Sequence, residues 1–249
     1  MPANTWTPTA LASEARRWRG SGWRAVEAQH RVATMNLVGG EPSDQALLED
    51  ILDVAKPPLP KAARRLHWLL ATPFRYRPLA DGSRFRRRGD PGVFYGAEAR
   101  ATACAEAGYW RLRFWRDSAG LATRSATVEM SLFEFHAEAA RLLDLTQAPL
   151  LNDAARWTDP QDYGATQTLA VAAREAQIEA IRYASVRHVG GHCLALLTPA
   201  VFANDAFRHV QQTWTLRLQP PQRIVWQRHL ERETFDFRFE NLGAPAGAT

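Results

Sequence analysis

The sequence predicts an α+β fold: a compact mixed or antiparallel β core with flanking helices, plus a helical amino-terminal extension. Three observations lead there. Apolar residues at helical spacing fill much of the first 70 positions, short alternating segments cluster beyond them, and two principal helical patterns interrupt those clusters. Strands in runs with segregated helices favour α+β over a doubly wound sheet. At 249 residues and 46% hydrophobic content the chain can bury a sizeable core.

Taken in order, residues 8–20 and 22–36 carry tryptophans and aliphatics among arginines and glutamates, and Ser43 can cap the amphipathic stretch DQALLEDILDVA. The Pro57-Pro58-Leu59-Pro60 element cannot continue a helix, and AARRLHWLL then runs into Pro73, so a module boundary is expected near residue 70. FRYRPL and GVFYG read as strands, EARATACAEAGYWRLRFW as a helix, ATVEMSLFEF and RLLDL as strands, and YGATQTLAVAAREAQIEA as a helix. IRYAS and HCLALLT are strands on either side of the turn VRHVGG. TWTLRLQ, RIVWQRH and TFDFRFE follow as strands before the Gly/Ala/Pro end GAPAGAT. The resulting division is a helical extension over 1–70, a catalytic domain over 71–242 and a disordered tail over 243–249.

No run of about 18 apolar residues appears, and no apolar segment follows a basic start, so neither a membrane span nor a secretory signal is expected and the cytoplasm is the expected compartment. Cys104 and Cys193 stand in no metal or redox spacing and read as small apolar core residues. The formal charge is +5, carried almost entirely by arginine, since Lys56 and Lys61 are the only lysines. A planar guanidinium grips phosphate or carboxylate in bidentate fashion, so anion recognition is one reading and genomic GC content the other.

Chemistry concentrates in residues 73–111. In the expected strand, Arg75 and Arg77 fall at i and i+2 with Phe74 and Tyr76 on the opposite face, so one of the two arginines can face a pocket. Arg84 follows in the loop GSRFRRRGDPG, whose glycines let backbone approach a ligand. Arg86, Arg87 and Arg88 read as a solvated charge run. Tyr95 ends the next strand. Glu106 comes about two turns into the following helix among Ala103, Cys104, Ala105, Ala107 and Gly108, a closely packed setting in which a carboxylate needs either an arginine partner or a chemical role. His188 and His192 flank VGG and, with His136 or His209, suggest a metal only superficially, because no carboxylate or thiol is organised beside them.

The order GSRF, PGVFYGAEARATACAE, IRYASVR, Gly-rich turn, HCLALLT resembles the RES-domain family, and WRAVEAQHRVATMNLV with KPPLP is similar to the amino-terminal extension of some members. The resemblance spans about residues 20 to 205. It implies a fold similar to ADP-ribosyltransferase toxins and an NAD-consuming toxin of an Xre/RES-type toxin–antitoxin pair. It implies a site of Arg75, Arg84, Tyr95, Glu106 and Ser185, with Tyr76 beside Arg75 on the NAD-binding surface and Arg77 as the alternative first arginine. NAD is then substrate, no metal is expected, and the partners are inorganic phosphate, a cognate antitoxin and further protein copies in a homo- or hetero-oligomer.

On this reading Glu106 stabilises positive charge on the ribose as the nicotinamide bond breaks, Arg75 and Arg84 anchor the pyrophosphate, and Tyr95 and Ser185 complete the ribose end. Phosphorolysis stands ahead of hydrolysis and of protein ADP-ribosylation, since basic surroundings favour phosphate as acceptor. The competing class is an arginine-rich nucleic-acid binder with stacking aromatics. It ranks lower because basic residues are spread along the chain without a helix-turn-helix or zinc-finger signature. A noncatalytic scaffold assembled through its amino-terminal helices is the third reading.

Overall fold

In the computed structural model, the described residues are 6–28, 56–76, 82–118, 120–202, 207–228 and 231–240, with single positions at 41, 43, 44, 47 and 51. Their architecture is α+β, with eight strands in one mostly antiparallel sheet and helices packed around it.

Helix α1 (Pro8–Glu14) starts where the Thr7 side chain accepts a hydrogen bond from Ala10 N. Strand β1 (Arg16–Glu27) follows, where the helical spacing of residues 8–36 predicts helix. Two glycines explain the difference. Gly20 and Gly22 disfavour helix, and a Cβ at Gly22 would meet the Phe135 ring at 2.5 Å. β1 pairs antiparallel along nearly its whole length with β3 (Ala126–Asp144), from Arg16↔Leu142 to Glu27↔Met130. β1 therefore lies inside the main sheet although it belongs to the stretch read as a helical extension. Most of the amphipathic stretch 44–55 and the tail 243–249 lie outside the described residues.

Residues 68–75 form helix α2 (Trp68–Arg75), not the start of the strand that FRYRPL suggests. Its buried positions Leu69, Leu70 and Phe74 recur at helical spacing, and Pro73, which can donate no helical hydrogen bond, sits near its end. Strand β2 (Phe94–Ala97) and helix α3 (Arg100–Asp117) match the expected strand and helix. β3 is one strand of 19 residues where two were expected. The intervening His136–Ala140 segment stays extended because it is paired with β1, tertiary pairing overriding the weak strand preference of its alanines. A short helix α4 (Ala154–Trp157) precedes α5 (Gly164–Glu175), which stops before Gln177, a residue with φ of 56°. Strands β4 (Ala180–Ala184), β5 (His192–Leu196), β6 (Phe207–Gln219), β7 (Arg223–Arg228) and β8 (Thr234–Arg238) complete the sheet.

The strand order is β1-β2-β5-β4-β3-β6-β7-β8, with β1 also paired to β3, so the first five strands in that order close into a ring. Among the described residues only β3 and β4 run parallel. At the closure between β1 and β2 a single partner pair, Trp23↔Ala97, is formed. One core lies within reach of α2 and is packed with phenylalanine: Phe94 meets Phe135 at 4.8 Å and Phe202 at 5.1 Å, edge to face. The second core joins the opposite sheet face to α3 and α5 and includes Tyr109, Leu112, Leu169, Trp214 and Trp226.

One row crosses four strands. Trp23 lies opposite Ala97, Ala97 opposite Cys193 and Cys193 opposite Tyr183. Residues opposite one another project from the same face, so this row forms a floor. Helix α3 crosses above it.

Candidate active site

A cavity of about 280 Å³ opens between that floor and α3. All four residues of the row line it, as does Tyr95, two residues before Ala97 on the same face. From α3, Ala103, Glu106, Ala107 and Trp110 line the other side, the i, i+3, i+4, i+7 spacing of one helical face. The small alanines leave room, and the two large members of the face supply a carboxylate and an indole that is 44% exposed.

Glu106 is partly buried. Ser185 Oγ donates to its Oε1 at 2.6 Å, and Cys193 Sγ stands 3.7 Å from the same oxygen. Ser185 Oγ in turn accepts from the backbone N–H groups of Arg187 at 3.2 Å and His188 at 3.1 Å. Two backbone dipoles thus polarise a hydroxyl toward a carboxylate. The alternative for Glu106, an arginine partner, does not occur: among the described residues no ion pair reaches it.

The arginine loop is held by Tyr95. Ser83 Oγ and Tyr95 Oη are 2.8 Å apart, and Phe85 N donates to Tyr95 Oη at 3.0 Å. Burial raises the Tyr95 pKa above its ordinary value, so the phenol stays neutral. Ser83 and Arg86 close a tight turn through two backbone hydrogen bonds, and Gly82, at φ +72°, enters it where a Cβ would strike Arg86 O at 2.3 Å. Arg84 rises from this turn with only 9% of its surface exposed, bonds Trp157 O through Nη1 at 2.9 Å and lies over the Tyr163 ring at 4.6 Å. Arg86 corrects the reading of a solvated run. It is buried, with Nη2 on Tyr76 O and Nε on Asp90 O, a clasp between loop and α2, whereas Arg87 and Arg88 are exposed.

The structure thus brings together Arg84, Tyr95, Glu106 and, through its bond to Glu106, Ser185. Arg75 and Tyr76 it does not. Arg75 ends α2 with Nε on Pro57 O, Tyr76 is exposed, and neither lines the cavity. Arg77 lies outside the described residues, as does the side chain of His209. His188 Nδ1 hydrogen-bonds with Thr102 Oγ1 and His192 Nδ1 lies 3.6 Å from Glu98, and no cluster of three metal-ligating side chains occurs among the described residues.

Two arginines absent from the sequence-based site stand in the cavity wall. Arg24 arrives from β1 with Nη1 on Tyr95 O and its guanidinium 4.8 Å from the Phe94 ring centroid. Its buried Nε has no partner among the described residues, and burial lowers its pKa to about 10, so it remains a cation at neutral pH. Arg187 bonds Pro160 O through Nη2 and lies 3.6 Å over the Tyr109 ring. The signal for Arg187 was its place two residues after Ser185 in a turn. None pointed to Arg24 while its segment read as helix. Three guanidiniums and one carboxylate line the same space, an arrangement suited to an anion with a positively charged or charge-developing centre beside Glu106.

Comparison with known proteins agrees with the motif order. The model of a family described as RES domain matches residues 58–219. No curated protein matches the chain. Among solved structures, a chain of the crystal structure of the M. tuberculosis MbcT–MbcA toxin–antitoxin complex is similar over 84% of this chain and 92% of its own, with 13% identity and a TM-score of 0.46.

Proposed function

The chain belongs to the RES-domain family, and on that premise we propose that it is a toxin of a toxin–antitoxin pair that degrades NAD by breaking the bond between nicotinamide and ribose. The observation that carries the reading is the Glu106 carboxylate, held by Ser185 and free of any arginine partner among the described residues, in one cavity with Arg24, Arg84 and Arg187.

The chemistry follows from charge. As the C–N bond of NAD lengthens, its electron pair leaves with the cationic nicotinamide, which departs neutral, and positive charge moves to the ribose. Glu106 stabilises that charge, and no general acid is needed. Arg84 and Arg24 grip the pyrophosphate and fix the scissile bond against Glu106. Both are pre-positioned by backbone carbonyls, on Trp157 and Tyr95 respectively, so little side-chain entropy is lost on binding. Tyr95 walls the ribose end and holds the loop that carries Arg84.

Inorganic phosphate is the acceptor this cavity suits best, because a third guanidinium, Arg187, remains for a second anion. A phosphate oxygen attacks the anomeric carbon as nicotinamide leaves, giving ADP-ribose with an anomeric phosphate. A cognate antitoxin keeps the activity in check, so co-expression of that antitoxin relieves growth arrest caused by the wild type.

Purified protein is incubated with NAD, with and without inorganic phosphate, and products are followed by mass. Loss of NAD with phosphate-bearing ADP-ribose in the wild type, and none in Glu106→Gln, is expected. Plain ADP-ribose would make water the acceptor, and a labelled protein would make the reaction ADP-ribosyl transfer. No loss of NAD from folded, antitoxin-free protein would overturn the reading.

A further inference from the structure

Glu106 has two donors within reach, and both address one oxygen. Ser185 Oγ and Cys193 Sγ lie 2.6 Å and 3.7 Å from Oε1, while among the described residues no hydrogen bond engages Oε2. Cys193 is held there by strand pairing, opposite Tyr183 on β4 and Ala97 on β2, and only 1% of its surface is exposed. It lines the cavity below α3 yet offers almost nothing to solvent.

We infer that Cys193 is a positioning residue, its thiol being the second donor that fixes the Glu106 carboxylate and leaves Oε2 for the ligand. The inference rests on the reading of Glu106 as the carboxylate that faces the ribose. A carboxylate held at one oxygen by a single hydroxyl can rotate about that bond, and a second donor arriving from the sheet removes the freedom. The thiol has a proton to give: burial, and next the nearby Glu106 charge, push its pKa well above the ordinary value. The same condition excludes a thiolate nucleophile.

Two measurements test this. The first needs no turnover: the infrared S–H stretching band of Cys193, isolated as the difference between wild type and Cys193→Ser, is recorded again in a Glu106→Ala background. A shift of the band to higher frequency on loss of the carboxylate is expected, and an unmoved band overturns the inference. The second is steady-state NAD consumption. Cys193→Ala is expected to lower kcat about three- to tenfold with KM within about twofold, a split that marks loss of carboxylate positioning without loss of binding. Cys193→Ser, which keeps a donor, restores kcat to within about twofold of wild type. Equal loss in both variants together with a lowered melting temperature means a packing residue and overturns the inference, as does a Cys193→Ala enzyme with wild-type kcat. If the wild type consumes no NAD, the functional reading fails, and the infrared band alone still decides whether the thiol is bonded to Glu106.

Discussion

At the scale of single residues, Ser185 joins two tasks. Its hydroxyl donates to Glu106 while accepting two backbone N–H groups of the turn that follows. Ser185→Ala is therefore expected to lower NAD consumption about 100-fold and to cost about 1–2 kcal/mol of stability, read from turnover and urea unfolding of the same protein. Arg24 and Arg75 make a contrasting pair. Arg24→Met is expected to raise KM for NAD at least about tenfold, whereas Arg75→Ala, at a residue that does not line the cavity, is expected to stay within about twofold of wild type. Isotherms or initial rates for the two variants check this directly. Glu106, Arg84 and Tyr95 could be picked out because one short unit brings them in a fixed order. The strand spacing that pointed to Arg75 gives way to helix in α2, Tyr76 rested on the resemblance alone, and neither lines the cavity.

At the scale of elements, glycines in β1 and β2 make space for one ring. A Cβ at Gly22 or at Gly96 would come within 2.5 Å of Phe135, so the two strands can approach only where side chains are absent. Gly96→Ala is expected to destabilise the protein by about 1–3 kcal/mol by overpacking, measured as a lowered urea midpoint. A compensating Phe135→Leu in the same chain is expected to recover part of the loss. Strands β4 to β8 and helices α3 and α5 were readable because their periodicity is local. β1 was not: its tryptophans and aliphatics fit a helical pattern equally well, and what decides for a strand is the 19-residue partner β3, more than a hundred positions away. With β1 went Arg24.

For the whole molecule, burial keeps several acids neutral. Burial raises Tyr95 and Tyr183 above the ordinary phenol value of 10.0, and Cys104 and Cys193 above the ordinary thiol value of 9.0. In the unfolded chain these groups lose their protons at the ordinary values, and in the folded chain they do not. Their stabilising contribution is thus complete below pH 9 and declines as pH rises through 9 to 10 and beyond. Arg24, Arg86 and Arg174, whose pKa values burial lowers, work in the opposite sense, Arg24 from its folded value of about 10 upward, above the pH at which the thiols begin to lose their contribution. Urea midpoints are expected to be level from pH 7 to about 8.5 and then to fall, with a gentler fall in Tyr183→Phe. The α+β class follows from the clustering of strand patterns, whereas the ring that unites them depends on pairings no local pattern records. That ring carries a consequence for synthesis. The row Trp23, Ala97, Cys193 and Tyr183 takes one residue from each of four strands, the last of which ends at Leu196, and its closing contacts join segments over seventy residues apart. Such long-range closures come late in folding. A chain still leaving the ribosome therefore has no floor under Glu106, and the cell that makes this protein meets a complete cavity only after translation has passed β5.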